Sequence, residues 1–177
     1  LYSAGHMADI GALEGSYANV LAFNDLGQAV GKTGYDGPLG DLPFLYSGGV
    51  MSVLGMLAGD NHATAADINN GGQIVGKAGS DIDEHAFLYE NGVMLDLNAL
   101  IDPASGWRLT SASGINDGQQ IAGQACKAGQ CFAVRLDLIN AVPEPASVAM
   151  LLGGLALLGG LGRRRQAKRA TGEPMAA

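Results

Sequence analysis

Two cysteines, Cys126 and Cys131, are the only thiols of the chain. They flank Lys127-Ala128-Gly129-Gln130, between the second and third strands of the last unit described below, and two thiols across so short a loop read as a disulfide in an oxidising compartment. Closing such a loop stabilises by about 2 kcal/mol. Free thiols are the alternative. Zinc would need two further ligands nearby and none is evident, so no metal is assigned. A redox pair is more often spaced Cys-x-x-Cys. Asp81, Asp83 and Glu84 supply the hard oxygens that calcium takes, but they lack the Asp-x-Asp-x-Asp-Gly spacing and read as a solvated loop between hairpins. His6, His62 and His85 are scattered, and no His-Glu-x-x-His, Gly-x-Ser-x-Gly or phosphate loop occurs. Trp107, Tyr17, Tyr35, Tyr46 and Tyr89 have rings that could stack on sugars, although most sit at strand positions suited to a core. No catalytic residue and no cofactor is assigned, and the chain is read as non-enzymatic.

Any chemistry must be positioned by a repeated body. Phe23-Asn24-Asp25-Leu26-Gly27-Gln28-Ala29-Val30-Gly31 returns as Ile68 to Gly76 and again as Ile115 to Gly123, at spacings of 45 and 47 residues. A second block, Phe44-Leu45-Tyr46-Ser47-Gly48-Gly49-Val50-Met51, returns 43 residues later as Phe87 to Met94. Asn and Gly tolerate positive φ, so each block predicts a tight hairpin, with Gly48-Gly49 and Asn91-Gly92 suited to type I′ turns. Gln73, Val75 and Lys77 alternate with Ile74 and Gly76, as strand residues do. One repeat is therefore four short strands in about 45 residues, the size of a propeller blade. Phe44, Tyr46, Phe87, Tyr89 and Phe132 are expected between neighbouring sheets. A β-solenoid is the alternative. The chain opens midway through a repeat and shows no signal peptide, so further units and a leader are expected upstream.

His85-Ala86-Phe87-Leu88-Tyr89, preceded by Ile-Asn-x-x-Gly-x-Ile-Val-Gly, is similar to the HAF-type extracellular bacterial repeats. The resemblance covers residues 1–139 and implies an exported protein, without catalytic residues. In the other copies His85 is matched to Leu42 and Gln130.

Composition divides the chain. Residues 1–145 carry five cations against sixteen carboxylates, whereas 146–177 carry Arg163, Arg164, Arg165, Lys168 and Arg169 against Glu173 alone. The overall charge of −7 argues against nucleic acid as a partner. With 47% apolar and 15% charged residues the chain is neither a disordered tail nor a coiled coil. From Ala146 to Gly162 no residue is charged, which suits a short membrane-spanning helix stopped by Arg163-Arg164-Arg165 on the cytoplasmic side. A buried core helix would carry a polar face, and this segment has none. Val142-Pro143-Glu144-Pro145 stands just before it, and its prolines hold the chain extended.

That order of Pro-Glu-Pro, hydrophobic span and Arg cluster resembles the PEP-CTERM sorting signal of exported bacterial proteins. The resemblance covers residues 142–169. It implies transient recognition by an exosortase at Val142, Pro143, Glu144 and Pro145, and removal of the tail. Gln166 to Ala177 extend beyond the family's usual end.

The expected architecture is all-β, with repeated four-stranded antiparallel units, β-propeller-like but incomplete, plus a C-terminal transmembrane helix. Its parts are a repeat region at 1–139, a Pro-Glu-Pro linker at 140–145, a span at 146–162 in the inner membrane and a basic cytoplasmic tail at 163–177. The expected function is that of an exported structural or binding protein, first anchored in the inner membrane. It would then act at the cell surface or outside it, with extracellular polysaccharide as a partner. Two rivals are a propeller-type carbohydrate-active enzyme using Asp36, Asp81 or Asp83, and a permanently anchored surface protein that keeps Arg163–Arg165.

Overall fold

In the computed structural model, the described residues are 2–3, 6–7, 9–11, 13, 17–34, 40–80 and 83–138. The linker, the hydrophobic segment and the basic tail lie outside them, as do Asp36 and Asp81. Among the described residues no helix is long and apolar enough to cross a membrane.

The architecture is all-β. A short pair, β1 (Tyr2–Ser3) and β2 (His6–Met7), precedes three antiparallel meanders. The first sheet contains β3 (Ala18–Phe23), β4 (Ala29–Thr33), β5 (Leu42–Ser47) and β6 (Val50–Val53). The second contains β7 (His62–Ile68), β8 (Ile74–Ser80), β9 (Asp83–Glu90) and β10 (Val93–Asp96). The third has only β11 (Arg108–Ile115), β12 (Gln120–Lys127) and β13 (Gln130–Asp137). The turn chemistry acts as expected: Gly48-Gly49 and Asn91-Gly92 take positive φ and join the last two strands of their sheets.

The sheets stack face to face in chain order. Val30, Ile74 and Phe87 fill the layer between the first and second sheets. Val75, Leu88, Leu109 and Ile121 fill the layer between the second and third. Side chains of β8 alternate between these layers, which is why both faces of that strand are apolar. Gly31, Gly76 and Gly123 recur because each faces a bulge in the preceding strand. A Cβ there would overlap the carbonyl oxygen of Asn19, Thr64 or Ser111 respectively.

Asparagine ties the stack together. The Asn24 carboxamide donates to Asn69 O at 3.0 Å, and that of Asn69 donates to Asn116 O at 3.1 Å. Each asparagine also accepts the N–H four residues on, from Gln28, Gln73 or Gln120, so it closes its own turn as well. Beside them, Asn70 bridges Asp25 and Asp117, donating at 2.9 Å to each carboxylate.

The four-stranded unit is present, but the sheets do not close into a propeller. The outer face of the third sheet supplies a physical reason. The inward-stacking positions Val30 and Val75 become Ala122, and Leu45 and Leu88 become Arg135; both replacements are exposed. A polar outer face is what a terminal repeat needs in water. Register also corrects two expectations. Leu42, His85 and Phe132 occupy equivalent positions, facing Thr33, Ala78 and Ala125, so Gln130 is not the counterpart of His85. Phe132 does not pack between sheets; it is 46% exposed, and Val134 takes the place of Phe44 and Phe87.

Candidate functional site

Lys32, Asp41, Lys77, Asp83, Glu84 and Arg108 lie at the end of the stack opposite the asparagine turns. In the first sheet, Lys32 reaches Asp41 at 2.6 Å, and the Tyr17 hydroxyl donates to the same carboxylate. Partial burial pushes the Asp41 carboxyl up, but the bonds from Lys32 and Tyr17 outweigh it and hold it below its ordinary range. The shared bond raises both Lys32 and Tyr17.

The second sheet repeats the device. Lys77 reaches Glu84 at 2.6 Å, with His62 at 3.7 Å from the same oxygen. The hydrogen bond from Lys77 leads in lowering the Glu84 carboxyl. Asp83 pairs with Arg108, whose guanidinium also donates to Glu84 O at 2.9 Å and so ties the second sheet to the third. The acidic run is therefore not a free loop: Asp83 and Glu84 open β9 and hold cations. His85 and Asp60 face each other at 3.3 Å, their nearest atoms buried and without a hydrogen bond. Among the described residues, no group of three or more metal-ligating side chains comes together.

The third sheet departs from this plan. Where Glu84 faces Gly79, Cys131 faces Cys126, and the two sulfurs are bonded. The turn between them is Ala128-Gly129, both at positive φ. Lys127, beside the disulfide, has no carboxylate partner among the described residues. Its ammonium lies 5.4 Å from the centre of the Trp107 ring, and Phe132 meets that ring edge-on at 5.6 Å. Lys32, Lys77, Arg108 and Arg135 all hold carboxylates, so Lys127 is the one lysine or arginine among the described residues without an ion pair.

Trp107 borders an open cleft of about 300 Å³ floored by Leu109, Ala125, Val134 and Leu136, with Ser105, Asp102 and Arg135 at its rim. That volume is at the lower end of small-ligand sites, and the apolar floor with a few polar groups is their usual composition. Trp107 is 38% exposed. The sequence held a signal for this grouping: Trp107 precedes Arg108, which pairs with Cys126, so strand register brings Trp107 close to Lys127. Without the register, the 19 residues between them hide it.

Of the sequence-derived candidates, Cys126 and Cys131 come together. Asp83 is engaged by Arg108. Val142, Pro143, Glu144, Pro145, Arg163, Arg164 and Arg165 lie outside the described residues.

Residues 141–166 match a family model described as the PEP-CTERM protein-sorting motif. No curated protein and no solved structure matches the chain. The motif marks an exported protein that an exosortase processes.

Proposed function

We propose that the chain is an exported repeat protein of the HAF type whose stacked sheets act as a non-enzymatic binding or structural module in the extracellular polysaccharide matrix. The sorting motif at 141–166 is the observation that carries the reading. The uncharged segment 146–162 holds the precursor in the inner membrane, and Arg163–Arg165 fix its orientation. Val142-Pro143-Glu144-Pro145 is the stretch the sorting enzyme grips. Three features of the body support a passive role. The stack is tied by side-chain bonds between repeats. Its last sheet is fastened by a disulfide suited to an oxidising compartment. Asp83, one candidate carboxylate for sugar hydrolysis, is committed to Arg108.

The test replaces Pro143, Glu144 and Pro145 together by Ala and follows the protein by cell fractionation in its own host. The expected outcome is an unprocessed precursor in the membrane fraction, while the parent is released from it. Equal release of both would contradict the reading.

A further inference from the structure

We propose that the cleft beside Trp107 binds a segment of an acidic, uronic-acid-containing polysaccharide, with one pyranose ring against the indole and its carboxylate on Lys127. The proposal rests on the reading of the body as a matrix-binding module, and names the ligand class and the site.

Two observations converge. The first is shape and polarity. Trp107 lines an open cleft with an apolar floor and is left 38% exposed, and Phe132, 46% exposed, meets its ring edge-on. The C–H face of a pyranose is apolar and carries a slight positive charge, which suits the negative face of an indole. The rim hydroxyl of Ser105 offers a polar contact to a ring hydroxyl.

The second observation is charge. The body is acidic, and its other described lysines and arginines are already paired. Among the described lysines and arginines, Lys127 alone has no ion pair, and its ammonium lies 5.4 Å from the Trp107 ring. The carboxylate at the rim, Asp102, is turned to its own chain and accepts the Ala104 N–H at 2.8 Å. Asp137 is held by Arg135 and Gln120. The cation beside the Trp107 ring that holds no carboxylate among the described residues is thus Lys127. A neutral glycan would use the ring and leave the ammonium without a partner, whereas a uronate uses both.

Trp107 is the only tryptophan of the chain, so its fluorescence reports this site without interference. The purified full chain is titrated with an oligogalacturonate, a neutral oligoglucoside of equal length, and polyglutamate as an anion without a sugar ring. A saturable change in Trp107 emission with the oligogalacturonate only is expected. Lys127→Gln, an exposed change outside the core, should weaken it about tenfold, as loss of one hydrogen bond to a charged group does. No response to the oligogalacturonate, an equal response to polyglutamate or to the neutral oligomer, or an unchanged affinity in Lys127→Gln would overturn the proposal. So would an unliganded Trp107 shielded from iodide quenching, because the chain itself would then cover the cleft. Each of these outcomes leaves tail processing unaffected, so failure of the cleft and failure of the sorting reading are distinguishable.

Discussion

The side chain of Asn69 holds two repeats at once: its oxygen accepts Gln73 N at 2.9 Å, and its amide donates to Asn116 O at 3.1 Å. Asn69 is 5% exposed, so water does not replace these partners when the side chain is removed. Asn69→Ala should therefore destabilise by about 2–4 kcal/mol, since buried groups lose their bonds along with the cap. Asn116 makes the same turn but is exposed and, among the described residues, donates to no further repeat, so Asn116→Ala should cost about 1 kcal/mol. Urea denaturation of the two variants measures the difference; equal losses would contradict the ladder.

Gly76 is the tightest backbone approach of the second sheet. A Cβ there meets Thr64 O and the Phe87 ring together. Gly76→Ala should destabilise by about 3 kcal/mol or more, because neither obstacle is the free end of a flexible side chain. Gly27, at a turn with open space around it, tests the opposite case: Gly27→Ala should lose only about 1 kcal/mol, from its positive φ. Thermal melts of both variants decide it.

Stability should fall in acid. Asp41 and Glu84 are held below their ordinary values of 3.8 and 4.5. A carboxyl lowered by folding stabilises above its unfolded value, and that contribution is lost as pH falls through the folded one. Lys32 and Tyr17 are raised from 10.5 and 10.0, so their contribution is present below those values and lost as pH rises beyond them. The melting temperature should be level between about pH 5 and 9 on account of these four groups, and decline below about pH 4. Asp41→Asn should flatten part of the acid limb; an unchanged acid profile would contradict the assignment.

The Cys126–Cys131 bond closes a loop with a sequence separation of 5 residues. Reduction, or replacement of both cysteines by Ser, should cost about 2 kcal/mol at most, since the Ala128-Gly129 turn already favours the closed loop. Urea melts with and without reductant measure it.

The outward face of the third sheet can be converted back. Ala122→Val with Arg135→Leu restores the side chains that the first two sheets use for stacking. The double variant should self-associate through the new apolar face and sediment faster than the parent at matched concentration. Identical sedimentation would show that these two positions do not cap the stack.

Much of this fold was legible because the repeated blocks state their own turns. Asn-x-x-Gly and Asn91-Gly92 announce positive φ, and alternation in β8 announces a strand buried on both faces. The end of the stack was not legible. Val to Ala at 122 and Leu to Arg at 135 look like ordinary drift until register places them on one face. The misassignment of Gln130 has a related cause. The third unit has Val134 where the others have Phe, so the nearby Phe132 attracts the alignment although it lies two residues early. Ion pairs such as Arg108–Asp83 link residues of different sheets, and no local pattern encodes them. The sorting motif was legible because its three parts lie side by side in sequence and need no fold to be read.

The most direct test of the central claim is the intact mass of the protein released by its own host. The account predicts a mature chain ending close to Pro145, without the segment 146–162 or Arg163–Arg165. A released chain that still carries those arginines would contradict it.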